Sequence, residues 1–290
     1  MKSRNMSVAL LATILLLAFG AWVTLFFQGT GTTTRVPAAT TTAKAPATTA
    51  PVAFNPPNLE DAPPKIRDAV LLGYKIMTET KKYAGKYVGN DLACTNCHFD
   101  GGRSLNTITL VGVGAAYPLY RSRRDYATDL TLRTQGCFER SMNGTAPAWN
   151  SQIMQSLLVY FQWISKGIPI YAQIPWMPFP ASLDNKHQPD AAVGATVYGE
   201  VCTRCHGDNG NGTPIAPALW GDGAYNDGAG IHRIRTFSVF AWRFMPKNAP
   251  SLTQEQALDV AAFVHEKPRP HFTSTHPDKV EREIALPLGQ

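Results

Sequence analysis

Cys94-Thr95-Asn96-Cys97-His98 and Cys202-Thr203-Arg204-Cys205-His206 are two copies of one pattern, and that pattern decides the fold. Two thiols three positions apart can add across the two vinyl groups of one porphyrin, while the imidazole of the next residue reaches the iron. Each copy therefore reads as a c-type haem attachment site, so two covalently attached haem c groups are expected. The competing reading is a zinc site built from Cys94, Cys97, Cys202 and Cys205. It would have to join two distant knuckles, and it leaves both following histidines as coincidence.

The spacing beyond the motifs repeats as well. His98 precedes Cys137 by 39 residues and His206 precedes Met245 by 39, so both pairs share an offset of 108. An internal duplication follows. Residues 63–83 place Ile66, Val70, Leu71, Tyr74 and Met77 or Thr78 at helical intervals behind Pro63-Pro64. Residues 191–201 do the same with Val193, Val197, Tyr198 and Val201. Residues 151–166 carry Ile153, Leu157, Phe161 and Ile164 on one face and stop at Gly167 and Pro169. Thr253 and Gln256 make a capping-box pattern ahead of Ala257, Leu258, Ala261, Ala262 and Val264. Between each haem motif and its closing helix the chain is rich in Gly and Pro, with little strand signal. Small helices around a haem, with the sixth ligand on a loop, resemble the cytochrome c fold. The expected architecture is all-α, with two tandem class I cytochrome c-like domains at 58–167 and 190–272. A Pro-rich connector spans 168–189 and a tail spans 273–290.

The front of the chain fixes the expected compartment. Lys2 and Arg4 precede an apolar run at 8–27, interrupted only by Thr13, Gly20 and Thr24. About 20 residues can cross a bilayer, whereas a secretory signal has a shorter apolar centre and a clear small-residue cleavage site. Residues 1–28 are therefore expected to form an uncleaved membrane anchor, basic end inside and the rest exported to the periplasm. A Thr-, Ala- and Pro-rich linker at 29–57 would let the soluble head reach partners at the membrane surface. The formal charge of +6 is no nucleic-acid signal. Lys2, Arg4, Arg35 and Lys44 account for four of it in a stretch without acids, leaving +2 for residues 54–290. No basic stripe with interleaved aromatics is present, so no nucleic-acid partner is expected.

His98 and His206 each supply one axial ligand. For the second haem, the opposite ligand is expected from Met245, a thioether in Phe244-Met245-Pro246 ahead of the last helix, as in class I cytochromes. His232 and His265 are its competitors. Methionine ligation raises a haem potential. The equivalent position in the first unit holds Cys137, the fifth cysteine, which has no spare thiol to pair with in an oxidising compartment. Either it is a small buried residue or it is a thiolate ligand that lowers the potential of the first iron. Met142 and Met154 are the alternative ligands.

The run Arg133-Thr134-Gln135-Gly136-Cys137-Phe138-Glu139-Arg140-Ser141-Met142-Asn143-Gly144, lying between two haem motifs, closely resembles the dihaem thiosulfate dehydrogenases. The resemblance covers about residues 60–272. It implies an enzyme that joins two thiosulfate anions into tetrathionate, in some members reversibly, and hands the electrons to a cytochrome c or another periplasmic acceptor. It also implies that His98 and Cys137 ligate the active haem, that Arg123 and Arg133 hold substrate, and that Ser141 donates a hydrogen bond. Guanidinium forks suit a tetrahedral oxyanion and oppose the repulsion between two like-charged substrates. Two unit charges 4 Å apart at an effective dielectric of 20 interact by roughly 4 kcal/mol. Some members carry Lys just before the methionine, where it competes for the second iron. Phe244 stands there in this chain, so steady methionine ligation is expected. Two rival readings remain open. One is a membrane-tethered dihaem electron shuttle without enzymatic activity, and the other is a sulfur-oxidation cytochrome that loads thiosulfate onto a carrier protein.

Overall fold

The computed structural model describes residues 52–105, 107–121, 126–177, 179–180 and 182–273. The expected anchor 1–28, most of the linker 29–57 and nearly all of the tail 273–290 lie outside the described residues, as does Arg123. No helix among the described residues is long and apolar enough to cross a membrane. The described chain is helical apart from one small hairpin and falls within a single compact unit.

Its elements in order are α1 (Pro64–Thr78), α2 (Thr80–Ala84), α3 (Val113–Ala116), β1 (Leu119–Arg121), β2 (Tyr126–Thr128), α4 (Leu130–Glu139) and α5 (Gln152–Ile164). Then come α6 (Ala191–Val197), a π-helical turn at Tyr198–Cys202, α7 (Thr203–His206), α8 (Ile234–Phe244) and α9 (Gln254–His265). The helix starts are chemically specified. Ser151 caps α5 by accepting from Met154 N, Asp129 caps α4 through Leu132 N, and Thr253 with Gln256 closes a reciprocal box on α9.

Two helix crossings organise the molecule, one in each half, and each closes over a glycine. At Gly73 a Cβ would lie 2.4 Å from Tyr160 Cβ and 2.5 Å from Ser156 O, so α1 and α5 meet backbone to backbone. At Gly194 it would lie 2.0 Å from Asp259 O, so α6 and α9 meet the same way. The first apolar cluster gathers Val70, Ile76, Phe138, Leu157, Tyr160 and Ile164, and the second gathers Val197, Tyr198, Phe237, Val260 and Val264. We call these halves the first and second lobes.

Four details depart from the sequence reading. The expected helix over 63–83 bends at Glu79 (φ −128°, ψ 53°), which separates α1 from α2. The hairpin pairs Leu119 with Thr128, Tyr120 with Ala127 and Arg121 with Tyr126; strands of three residues are too short for their alternation to register in sequence. Helix α8 was not anticipated, although Phe237, Phe240, Ala241 and Phe244 recur at helical spacing and are buried. Cys137, expected on a loop, stands in the last turn of α4.

Candidate active site

Each haem motif is held by its local backbone. Cys94–Asn96 forms a 3₁₀ turn in which Asn96 Oδ1 accepts from Ala93 N at 2.6 Å, and Cys94 N donates to Thr80 Oγ1 at 3.0 Å. The second motif continues a helix, since α6, the π turn and α7 run on from Ala191 to His206. The histidines are nevertheless set alike. His98 Nδ1 lies 2.7 Å from Ile108 O and His206 Nδ1 lies 2.8 Å from Pro217 O. A carbonyl only accepts, so Nδ1 carries the proton in both rings and Nε2 keeps its lone pair. Burial lowers both histidines, His98 to about 4, which keeps them in the neutral form that ligates iron.

The donor chemistry fits a c-type haem at both places. None of the five cysteines forms a disulfide. Burial pushes Cys94 up to about 11, Cys97 to about 12 and Cys202 to about 11. Among the described residues, no three His, Cys, Asp or Glu side chains gather into a metal-holding group, so the two cysteine pairs do not join in a zinc site.

Helix α4 carries Arg133 and Cys137 to the side of the first motif. Arg133 and Cys137 are four positions apart, one above the other on one helix face, and Arg133 Nη1 donates to Cys137 Sγ at 3.0 Å. The sulfur holds the guanidinium firmly protonated, and Tyr117 reinforces this as its phenolic oxygen accepts from Arg133. Cys137 lies near enough to Cys94 and Cys97 to oppose their ionisation, and Arg133 near enough to His98 to lower it further. His98, Cys137 and Arg133 therefore lie within electrostatic reach of the first motif. Ser141 follows α4, its carbonyl accepting from Asn90 Nδ2 at 2.9 Å. Of the alternative ligands, Met142 is 3% exposed within the first apolar cluster and Met154 is fully buried in the first turn of α5. The role of Tyr117 was not foreseen, because an aromatic before a proline carries no sequence signal for a contact sixteen residues away.

In the second lobe Met245 caps the end of α8, with its N–H donating to Ala241 O at 2.9 Å, and packs in the cluster that contains Cys202 and Trp220. Of its histidine competitors, only His265 has both ring nitrogens engaged, while His232 Nδ1 is buried without a hydrogen-bond partner among the described residues. His232 and His265 stack at 4.7 Å, and both ring nitrogens of His265 face carbonyls, Ala261 O at 2.6 Å and Ile231 O at 3.3 Å. Burial lowers His232 to about 3 and His265 to about 4, with Arg269 adding to both.

The lobes are joined by a polar seam that the sequence did not announce. Asn90 Nδ2 also donates to Ala224 O at 3.1 Å, and Asn226 Nδ2 donates to Glu139 O at 2.8 Å and Asn143 Oδ1 at 3.1 Å. Tyr225 and Ala229, from the second half of the chain, belong to the first apolar cluster.

Comparisons with known proteins place the two motif segments in cytochrome c families. Residues 81–170 match the family described as SoxA/TsdA, cytochrome c domain, and residues 189–264 match cytochrome c oxidase, cbb3-type, subunit III. The thiosulfate dehydrogenase of Stutzerimonas stutzeri is 39% identical over 224 residues, covering 75% of this chain and 73% of that one. That of Allochromatium vinosum is 37% identical over 216 residues, 71% of this chain and 80% of the relative. The structure of thiosulfate dehydrogenase (TsdBA) from Marichromatium purpuratum superposes with a TM-score of 0.74 at 31% identity, over 82% of this chain but only 54% of that longer one. Two haem c groups are the cofactors these domains carry. With both attachment motifs inside cytochrome c segments, and such identity across most of both sequences, the chain belongs to the thiosulfate dehydrogenase family of dihaem c-type cytochromes.

Proposed function

We propose that this protein oxidises two thiosulfate anions to one tetrathionate at the first lobe, residues 58–167, and passes the electrons out through the second, residues 190–272. The observation that carries the reading is Arg133 held 3.0 Å from Cys137 Sγ on the helix face beside Cys94, Cys97 and His98. His98 and Cys137 would hold the first haem iron, and His206 and Met245 the second. The haems supply the one-electron acceptors the reaction needs. Two thiosulfate dianions lose two electrons in total and gain one sulfur–sulfur bond, so charge balances with tetrathionate as a dianion.

The chain's own groups make that encounter possible. Arg133, with Arg123 beyond the end of β1, binds the sulfonate ends and offsets repulsion on the order of 4 kcal/mol. Ser141 donates a further hydrogen bond. Cys137 sulfur takes up one thiosulfate through a sulfur–sulfur bond with loss of two electrons. The second thiosulfate attacks that bond at the bound sulfane sulfur, releasing tetrathionate and returning Cys137 as thiolate. Arg133 stabilises the thiolate before and after.

The reading extends to a periplasmic enzyme tethered by residues 1–28, with a cytochrome c or similar acceptor. Purified, haem-loaded protein is expected to reduce its own haems when thiosulfate is added, with tetrathionate quantified alongside and the reverse reaction assayed from tetrathionate. Cys137→Ala should keep both covalent haems and lose turnover. Full activity in that variant would refute the assignment, and haem reduction without tetrathionate would favour an electron shuttle or carrier-loading cytochrome.

A further inference from the structure

Phe99 follows the first haem's histidine directly, yet its ring packs on the second lobe. It lies edge-on to Phe244 at 5.6 Å and to Phe240 at 6.0 Å, and those two rings meet each other at 5.1 Å. Phe179 of the connector extends the group, 6.0 Å from Phe244. On the other side of Met245, Lys247 Nζ stands 5.2 Å over the Phe99 ring. Phe99 thus touches the residue before Met245 and the residue two after it. Phe240 and Phe244 are 8% and 7% exposed, so these contacts are desolvated, where edge-on aromatic packing holds best.

We propose that Phe99 is a positioning residue for Met245: a ring from the first lobe that holds the second lobe's sulfur donor in place and so sets the potential at which electrons leave. The backbone around Met245 makes this physically direct. Its N–H is tied to Ala241 O at 2.9 Å, but its carbonyl accepts only a long bond from Ser251 N at 3.4 Å, and Ala249 N turns back to Pro246 O at 3.0 Å. The segment after Met245 is an exposed turn, so the packing of Phe99 on Phe244 before it and Lys247 after it constrains the backbone that carries the sulfur. A thioether held at full ligand strength raises the potential of its haem, and a loosened one lowers it. Phe244 also brings no competing donor nitrogen to that position.

The inference rests on Met245 being the second haem's ligand, and the experiment separates the two ideas. Spectroelectrochemistry on the full, haem-loaded chain gives each haem's potential, and the weak far-red sulfur-to-iron absorption of an oxidised haem reports methionine ligation. The parent protein should show that band; its absence overturns the ligand assignment itself. In Phe99→Ala the band should weaken, and at the parent's second-haem midpoint the oxidised-to-reduced ratio of that haem should rise about tenfold, a shift of about 59 mV for one electron. Phe99→Tyr, which keeps the ring, should restore both. Phe99→Leu should give a smaller shift of the same sign and stands in if the alanine variant fails to load haem. Phe244→Ala should act like Phe99→Ala, and the double variant should shift the potential no further than the larger single change. With the band present in the parent, an unchanged second-haem potential in the Phe99 variants, strictly additive shifts, or a change confined to the first haem would each overturn the role.

Discussion

The two lobes share a plan and differ in how each carries its sulfur. Both seat the haem histidine with Nδ1 on a backbone carbonyl, at 2.7 and 2.8 Å, and both cross their packing helices over a glycine. Both place a sulfur 39 residues after the histidine. In the first lobe that sulfur is Cys137, in the last turn of α4 with a guanidinium one turn below it. In the second it is Met245, just past the end of α8 and partly buried against the second apolar cluster. A polar, cationic surrounding stabilises a thiolate and attracts anions, whereas an apolar one keeps a neutral thioether in place. On the proposed function, the same scaffold would offer chemistry in one lobe and conduction in the other, and the structural difference lies in the helix that reaches each sulfur.

The harshest way to break that contrast is to make the first lobe copy the second. Cys137→Met should keep both covalent haems, raise the first haem's potential and cut thiosulfate oxidation on the order of 10⁴-fold or more, as loss of a covalent nucleophile does; steady-state assay with redox titration checks it. Removing only the cation is milder. Arg133→Gln should lower thiosulfate kcat/KM about 10²–10³-fold, or about 2.7–4 kcal/mol, a size typical of losing one preorganised charge-stabilising donor. The electron exchange rate of the second haem with a small-molecule reductant should stay unchanged in that variant, which stopped-flow measurement tests.

The shared plan can be probed lobe by lobe. Gly73→Ala and Gly194→Ala each drive a methyl into backbone or Cβ atoms at 2.0–2.5 Å, so each should cost about 1–3 kcal/mol in denaturant unfolding. Equal losses would mark equal crossings. A pH-dependent test belongs to the second lobe's stacked histidines. The unfolded chain takes up protons below the ordinary histidine value of 6.5, while folded His232 and His265 refuse them down to about 3 and about 4. Stability should therefore fall as pH drops through that window, by up to about 1.4 kcal/mol per pH unit for each ring, and show no such slope above it. His265→Gln should flatten the slope in pH-dependent denaturation curves.

How far the sequence led depended on whether a signal was local. The haem motifs, the capped helix at Thr253 and Gln256, and the helix closing the first lobe were readable because each is written in adjacent or helically spaced residues. The pairing of Arg133 with Cys137 was within reach too, since four residues is one helical turn, but it required knowing that α4 is a helix, and its mean polarity hides that. Helix α8 was overlooked beside the Gly-rich loop ahead of it, although its buried phenylalanines carry the period. Contacts such as Arg133 with Tyr117, Phe99 with Phe244 and Asn226 with Glu139 join residues far apart in the chain. No periodicity records them.

The polar seam and the borrowed aromatic Tyr225 also bear on the order in which the molecule is made. A chain delivered from its amino end exposes Cys94 and Cys97 more than a hundred residues before Ala224, Tyr225 and Asn226 arrive to seal that side of the first lobe. Until then the thiols meet solvent and any enzyme that must reach them. Late arrival of the covering segment leaves a time window for cofactor attachment, and shutting it welds the halves into one body that no cut at the connector would cleanly divide.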